Sequence, residues 1–240
     1  MENILKNKNC LITGATGGIG KEVCKQLANN SCNLFLTSTN TTKLKKLKDE
    51  LKKINKNIKI EFFESDLTIE NNINELINFI KEKFSSIDIV INSAGIFIES
   101  SIEKTSLVDF ENCYSINVKA PFILCKEFTK DMKKNGWGRI VNIASSSAYQ
   151  GFSNSSAYCS SKHGLLGLSR ALFNEFKQKN VRVFCISPGS VKTKMGKKCK
   201  NQNYETFINP KEIAEYIFNI IIFDKEMIIE ESRLNRIMIE

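Results

Sequence analysis

The chain has 240 residues, of which 42% are hydrophobic and 25% are charged, a balance typical of a globular protein with a full apolar core. These values exclude a disordered or collagen-like chain. The net charge of +9 comes from lysines scattered along the chain rather than from one basic cluster, which argues against nucleic-acid binding as the main role.

Short apolar runs alternate with longer amphipathic stretches along the whole sequence. The apolar runs predict strands at 9–13, 33–37, 58–63, 87–91, 139–143, 181–186 and 227–229. The stretches between them predict helices at 18–29, 42–54, 69–84, 107–134, 155–179 and 210–223. Parallel strands need crossover connections, which helices supply. We therefore predict one domain over residues 1–240, a Rossmann-like, doubly wound α/β fold with about seven parallel strands.

A glycine-rich loop follows the first predicted strand and opens the first predicted helix. Three residues separate Gly14 from Gly18, and one residue separates Gly18 from Gly20. Glycine is needed where the backbone turns tightly or approaches a pyrophosphate, and the start of a helix attracts phosphate. In this position the loop indicates a dinucleotide site. A flexible turn is the alternative.

Tyr158 and Lys162 stand four residues apart near the start of a predicted helix, so that they project from one face. A tyrosine titrates near pH 10, and a nearby ammonium group stabilises the phenolate and lowers that pKa. The pair therefore suits general acid/base chemistry. The alternative is an ordinary half-buried aromatic residue beside a solvated lysine.

Further motifs occur in a fixed order around this pair. They are Thr13-Gly14 to Gly20 (TGxxxGxG), Asn92-Ser93-Ala94-Gly95, Asn117, Ser145, Tyr158 to Lys162 (YxxxK), and Pro188-Gly189 to Thr193 (PGxVxT-like). On these residues the chain resembles the short-chain dehydrogenase/reductase family, over about residues 8 to 230. The resemblance implies an NAD(P)-dependent enzyme that interconverts a carbonyl group and a secondary alcohol. Ser93 departs from the second asparagine of the family motif.

The resemblance also implies residue roles. Tyr158 would be the general acid/base, Ser145 would hold the substrate oxygen, Lys162 would bind the nicotinamide ribose and lower the pKa of Tyr158, and Asn117 would support a water-linked proton relay. Ser146 could replace Ser145, although the spacing to Tyr158 favours Ser145. The implied cofactor contacts are Gly14, Thr16, Gly18, Ile19, Gly20, Ser38, Thr39, Asp66, Leu67, Asn92, Ala94, Gly95, Tyr158, Lys162, Pro188, Gly189, Val191 and Thr193.

The second predicted strand ends without a carboxylate, at Ser38 and Thr39. An acid there usually marks NAD, so its absence favours NADP, with NAD as the alternative. Against NADP, Thr39 and Thr16 stand where the family often has basic residues. Asp66 matches the family's adenine-binding aspartate, and its alternative role is to cap the next helix.

A short polar lid is predicted near 190–209. It contains Lys192, Lys194, Lys197, Lys198 and Lys200, and it suits a long or anionic substrate. A loop with solvated lysines is the alternative. Reduction of a 3-oxoacyl thioester is the closest competing activity, although the tail at 226–236 lacks the glycine-containing segment usual in those reductases. A non-catalytic, NADP-binding regulator is a second alternative.

No cysteine pair has C-x-x-C spacing, and we expect neither a metal site nor disulfides. Cys159 is either a reactive thiol or a packing residue. With no signal-like or membrane-length apolar run, we expect a cytoplasmic protein without membrane or nucleic-acid partners. The segments 107–134 and 155–179 resemble the family's four-helix interface, which implies a homotetramer or homodimer. Apolar residues that could face either a partner or the sheet are Phe122, Leu124, Phe128, Leu168, Leu172 and Phe176.

Overall fold

The computed structural model describes residues 3–199 and 202–238. Seven parallel strands form one sheet in the order β3-β2-β1-β4-β5-β6-β7. The strands are β1 (Asn9–Thr13), β2 (Asn33–Ser38), β3 (Ile60–Glu64), β4 (Ile89–Asn92), β5 (Gly138–Ile143), β6 (Val181–Pro188) and β7 (Glu231–Leu234). The predicted doubly wound α/β sheet is confirmed.

Helices cover both faces of this sheet. They are α1 (Gly18–Asn29), α2 (Thr41–Ile54), α3 (Glu70–Lys83), α4 (Leu107–Tyr114), α5 (Ala120–Asn135), α6 (Ser156–Phe176) and α7 (Pro210–Ile222). Successive residues of β1 point to opposite faces: Ile12 packs with α1 and α7, whereas Leu11 packs with α3 and α5. Within residues 3–199 and 202–238, no helix is long and apolar enough to cross a membrane.

The long helix predicted at 107–134 is interrupted. A π-helical segment, Ser115–Lys119, separates α4 from α5. Pro121 lies in the first turn of α5 and has no N–H, so it cannot donate the helical hydrogen bond that the Asn117 carbonyl would otherwise accept. The wider turn therefore occurs where a regular α-helix would lose a bond, and it carries Asn117.

The prediction for the last strand is wrong. The apolar segment 227–229 is not a strand, and β7 starts two residues later, with Glu231 beside Cys185 of β6. The Arg182 guanidinium binds the carbonyls of Phe223 and Lys225 at 2.9 and 2.5 Å, and so fixes the turn that precedes this segment. Met227 is 59% exposed. Hydrophobicity alone therefore misplaced the strand.

A row of polar side chains crosses the buried interior from β4 to α6. The Asn92 amide donates to Asn142 Oδ1 at 2.7 Å, and the Asn142 amide donates to Ser169 Oγ at 2.9 Å. Ser169 in turn donates to the Leu165 carbonyl. These groups are buried, and hydrogen bonds inside a protein offset the cost of removing them from water.

A second buried polar group lies at the amino-terminal end of β5. The Arg139 side chain is fully buried, and its Nη2 pairs with Asp224 Oδ1 at 2.6 Å. It also donates to the Ile221 carbonyl at 3.2 Å and stacks on Trp137. Burial lowers the pKa of Arg139 to about 10, while Asp224 raises it. This cluster ties β5 to the end of α7.

Candidate active site

The candidate site lies at the carboxyl ends of the strands, where the chain order reverses between β1 and β4, the usual place for a ligand in such sheets. Thr13 Oγ1 accepts hydrogen bonds from the backbone N–H groups of Ser93 and Ala94, both at 3.1 Å. Gly14 has φ +61°, and a Cβ on it would lie 2.8 Å from Ala94 Cα. The glycine loop is therefore held against the segment that follows β4. Thr13 was not singled out as a site residue, because its buried strand position looks like any other.

At the start of α1, glycines let the backbone lie very close to neighbouring segments. Gly17 precedes the helix, and no side chain caps it. A Cβ on Gly20 would lie 2.4 Å from the Gly14 carbonyl oxygen, and one on Gly18 would lie 2.3 Å from Thr193 Cγ2. An uncapped helix start with a glycine backbone suits a pyrophosphate, so these residues fit a dinucleotide. Thr16 and Ile19 are half-buried here.

Tyr158 lies in an apolar pocket. Its side chain is buried, and its ring meets Phe97 edge-on with centroids 4.9 Å apart. Burial raises the pKa of Tyr158 to about 12, while a hydrogen bond with the Ser145 side chain lowers it. The sequence-based expectation of a lowered pKa is therefore not met, because loss of water disfavours the phenolate. Phe97 was not predicted, since nothing in its segment marks it.

Lys162 is also buried, one turn after Tyr158 on α6. Its Nζ donates to the Ile143 carbonyl at 2.8 Å and lies 5.8 Å from the centre of the Tyr158 ring. Burial lowers the pKa of Lys162 from 10.5 to about 8. The ammonium group therefore faces the end of β5 and the tyrosine together, and it is not the solvated lysine of the alternative interpretation.

Ser145 follows β5 and starts a short 3-10 turn, Ser146–Ala148. Its Oγ accepts from the Ser147 N–H at 3.1 Å, which fixes the hydroxyl at the start of the turn. Of Ser145 and Ser146, it is Ser145 whose side chain lowers the pKa of Tyr158. The geometry therefore favours Ser145 over Ser146 as the partner of the tyrosine.

The fully buried side chain of Asn117 joins three segments. Its Oδ1 accepts from the Ile96 N–H at 3.2 Å, and its Nδ2 donates to the Ile96 carbonyl at 3.2 Å and to Ser161 Oγ at 3.0 Å. A Cβ on Gly95 would lie 3.0 Å from Asn117 Oδ1 and 3.6 Å from Lys162 Nζ. Asn117 thus borders the lysine, while its amide ties the loop after β4 to α6. Ser161 was not predicted.

The far end of the crevice lies beyond β2 and β3. Ser38 ends β2 and Thr39 follows it, and no hydrogen-bond partner for the Ser38 hydroxyl lies within the part of the chain that the structure describes. Asp66 Oδ1 accepts from the Thr68 N–H at 2.9 Å and from its hydroxyl at 2.8 Å. Asp66 therefore makes a local turn and does not cap α3, which begins without a side-chain cap. Leu67, next to it, is buried.

The lid begins where β6 ends. The Gly189 N–H donates to the Leu234 carbonyl at 2.8 Å, directly after Pro188. Val191 is buried and forms an isolated parallel bridge with Ile208, which closes the base of the lid. Thr193 Oγ1 accepts from the Gly196 N–H at 3.0 Å.

The lid lysines differ in their surroundings. Lys192 pairs with Glu205 at 3.2 Å, and Lys197 lies over the Tyr204 ring at 5.4 Å. Lys194 is exposed. Lys200 lies outside the described residues. At least one of the predicted cations is therefore already balanced by an acid of the lid.

All eight cysteines are free thiols, and Cys159 is buried beside Tyr158. Burial raises the pKa of the Cys113 thiol, whose sulfur accepts a hydrogen bond from Asn117. Across residues 3–199 and 202–238, no three His, Cys, Asp or Glu side chains gather as a metal ion would require.

Comparisons with known proteins agree with this geometry. A family model described as short chain dehydrogenase matches residues 8–204. The 3-oxoacyl-(acyl-carrier-protein) reductase of Aquifex aeolicus is 31% identical over 233 residues, 93% of this chain and 92% of that protein. A solved structure of 4-hydroxyisoleucine dehydrogenase complexed with NADH superposes with a TM-score of 0.83 at 29% identity, covering 96% of this chain and 97% of that one. A metagenomic short-chain oxidoreductase in complex with NADP superposes with a TM-score of 0.85 at 23% identity, covering 98% and 99%.

Proposed function

The chain belongs to the short-chain dehydrogenase family, and on that premise we propose that it interconverts a carbonyl compound and a secondary alcohol with Tyr158 as the general acid/base. One observation carries the proposal. The Lys162 Nζ lies 5.8 Å from the centre of the buried Tyr158 ring, and the Ser145 side chain is near enough to lower the pKa of Tyr158. A hydroxyl pair beside a buried ammonium group is suited to moving a proton to and from a carbonyl oxygen.

For the reducing direction, Ser145 holds the carbonyl oxygen by a hydrogen bond and Tyr158 donates a proton to it. Because the pKa of Tyr158 is raised to about 12, the phenol keeps its proton at neutral pH and is ready to donate. Hydrogen bonds directed at the oxygen are strongest when negative charge develops there, so the pair stabilises the transition state more than the ground state.

Lys162 and Asn117 support this step. The Lys162 ammonium would stabilise the phenolate that remains after proton donation, since opposite charges attract strongly in a buried site. The Asn117 carbonyl cannot accept an α-helical bond from Pro121, which has no N–H, and it would suit a water molecule that returns a proton. The residues thus provide a donor, a stabilising charge and a route for the replacement proton.

The cofactor is a nicotinamide dinucleotide. The uncapped start of α1 and the loop with Gly14, Gly18 and Gly20 would hold the pyrophosphate, and Asp66 and Leu67 would face the adenine. Asn92, Ala94 and Gly95 on one side, and Pro188, Gly189, Val191 and Thr193 on the other, would enclose the nicotinamide half. When bound, the reduced nicotinamide supplies the hydride. The lack of an acid at the end of β2 favours NADP, with NAD as the alternative, and the solved relatives include a complex with each.

The test is a binding titration followed by turnover. We expect NADPH or NADH to bind the protein and a panel of ketones and aldehydes to be reduced. The variant Tyr158→Phe should bind the cofactor as before and lose about a hundredfold or more in kcat, the usual contribution of a positioned acid. Tyr216→Phe is the matched control, because that hydroxyl contacts Ser232 and not the site. Unchanged turnover in Tyr158→Phe on every substrate would contradict the proposal and favour a non-catalytic regulator.

A second candidate substrate class is the 3-oxoacyl thioester. The observation in its favour is the 31% identity over most of the chain to a reductase of that name. Against it, β7 is followed by Asn235 and Arg236 rather than by glycine. Comparing kcat/KM for an acyl-carrier-protein thioester with that for a free ketone of the same chain length decides between the two. A preference for the thioester of about a hundredfold would support this second function.

Two copies of the chain would associate through α4, α5 and α6. Leu124, Phe128 and Phe176 are buried against the sheet, whereas Phe122 is 49% exposed. Phe122 belongs to an apolar surface groove whose lining includes Phe110, Tyr114, Val118 and Leu168. Covering this groove with a second copy would remove apolar surface from water. Leu172 is only partly buried and packs on the core.

Light scattering tests the assembly. We expect a dimer or tetramer for the wild type and a monomer for Phe122→Glu. Phe223→Glu serves as the control, since Phe223 is similarly exposed, at 40%, on another surface. A monomeric wild type would contradict the assembly. We further propose a single domain, a cytoplasmic location and a small carbonyl or alcohol substrate. Fractionation of cells would test the location, and a substrate panel with neutral and anionic members would test the substrate.

A further inference from the structure

A carboxylate lies beside the adenosine end of the crevice, although the end of β2 has none. Glu64 is the last residue of β3, and its strand partner is Ser38, the last residue of β2. Glu64 Oε2 accepts a hydrogen bond from the Thr41 N–H at 3.0 Å and another from the Thr41 hydroxyl. Thr41 is the first residue of α2. The acid therefore reaches across from the neighbouring strand to the start of the helix that follows β2.

The contact matters because the start of a helix is where a phosphate would bind. The first backbone N–H groups of a helix have no partner within it and attract anions. In α2 the Asn40 side chain accepts from the Lys43 N–H at 2.8 Å, and Glu64 occupies the Thr41 N–H. A phosphate at this position would have to displace one carboxylate oxygen or lie beside its negative charge.

We propose that Glu64 selects against the 2′-phosphate that distinguishes NADP(H) from NAD(H). The inference rests on the dinucleotide site of the proposed function. A 2′-hydroxyl carries no charge and is not repelled, and the Ser38 hydroxyl beside it lacks a hydrogen-bond partner in the described residues. Thr16 and Thr39, which border the same ribose by resemblance to the family, bring no positive charge to offset the acid. The selecting charge thus comes from β3 rather than from β2.

Direct binding measurements test this role without any substrate. Titration calorimetry with NADH and NADPH would be run on the wild type, Glu64→Gln and Glu64→Ala. A carboxylate about 6 Å from a phosphate in a water-exposed site weakens binding by about tenfold, so we expect Glu64→Gln to tighten NADPH by about five- to tenfold and to leave NADH within about twofold. Glu64→Ala should gain at least as much, because a glutamine can still accept from Thr41 and an alanine cannot.

Glu61→Gln is the matched control. Glu61 lies on the same strand but pairs with Lys48 at 3.2 Å, away from the start of α2, so its removal should change neither affinity. The wild type offers a second test that needs no variant. Raising the salt from about 20 to about 300 mM should reduce the difference in affinity between NADH and NADPH if repulsion by Glu64 dominates. The difference should instead increase if cations of the protein bind the 2′-phosphate.

The outcomes distinguish a failure of the Glu64 role from a failure of the proposed function. Two results would overturn the role of Glu64 while leaving the proposed function intact. One is an equal change in affinity for NADH and NADPH in Glu64→Gln and Glu64→Ala. The other is an affinity difference between the two cofactors that increases with salt. Failure of the wild type to bind either cofactor would instead contradict the proposed function, and the inference would fall with it. A selective gain for NADPH that is absent from Glu61→Gln would establish it.

Discussion

Lys162 holds its charged group in the interior, and replacing it with methionine should stabilise the fold while removing the chemistry. The pKa of Lys162 falls from 10.5 to about 8 on burial. At pH 7 both the folded and the unfolded chain carry the proton, and this drop corresponds to about 3 kcal/mol of lost stability. Methionine removes that cost but leaves the Ile143 carbonyl without its partner, which costs about 1–2 kcal/mol. A net gain of about 1–2 kcal/mol is therefore expected for Lys162→Met at pH 7.

The pH dependence is the sharper part of this prediction. Between pH 8 and pH 10.5 the folded wild type loses its proton while the unfolded chain keeps it, so wild-type stability rises with pH. The advantage of Lys162→Met should therefore shrink by about 2 kcal/mol between pH 7 and pH 9.5. Other groups titrate in both proteins and cancel in the difference.

Urea unfolding followed by circular dichroism at pH 7, 8 and 9.5 measures that difference. Lys45→Met, on the exposed face of α2, is the control and should show a difference that is small and constant with pH. A stability difference for Lys162→Met that does not change over this range would refute the argument from burial. Loss of turnover in the same variant would show that the ammonium group of Lys162 is needed for activity although it destabilises the fold.

Three other outcomes follow from the geometry. Gly14→Ala should lose about 2–3 kcal/mol of unfolding free energy in urea, because φ +61° strains alanine and its Cβ has no room. Gly136→Ala, with φ +63° in open space, should lose only about 1 kcal/mol. Equal losses in the two variants would contradict the crowding at Gly14. Asp224→Asn should lose about 2–4 kcal/mol at pH 7 by removing the partner of buried Arg139, and an unchanged urea midpoint would show that the pair adds nothing. The pKa of Tyr158 is about 12, so the phenolate that alcohol oxidation needs is scarce at neutral pH. The initial rate of oxidation should therefore rise by about tenfold per pH unit from pH 7 to pH 9. A rate that does not change with pH would contradict a raised pKa of Tyr158.

Much of this molecule can be predicted from local patterns. Alternating apolar runs and amphipathic stretches identified six of the seven strands to within a few residues, because a buried parallel strand and a half-buried helix differ in period. The pairing of Tyr158 with Lys162 needs only the helical repeat. Ser145 could be placed beside them because it follows a strand whose carboxyl end reaches the same edge of the sheet.

The rest depends on contacts between distant segments. Arg182 binds carbonyls of the turn after α7, and the strand that pairs with β6 starts only at the more polar Glu231. The direction of the Tyr158 pKa depends on how much water reaches the ring, which spacing does not reveal. The carboxylate of Glu64 reaches α2 only because β3 pairs with β2 in one register, so a reading limited to the end of β2 finds no acid.

The buried row from Asn92 through Asn142 to Ser169 has a consequence for the geometry of the site. A register slip of one residue between β4 and β5 would turn Asn142 to the opposite face of the sheet. The buried amide of Asn92 would then lose its partner, at a cost of several kcal/mol. The row therefore permits a single alignment of β4, β5 and α6. Since Ser145 lies three residues beyond Asn142, and Lys162 lies two helical turns before Ser169, the same bonds fix the separation between hydroxyl and ammonium. The spacing of the site residues is thus set by hydrogen bonds between amides in the buried interior.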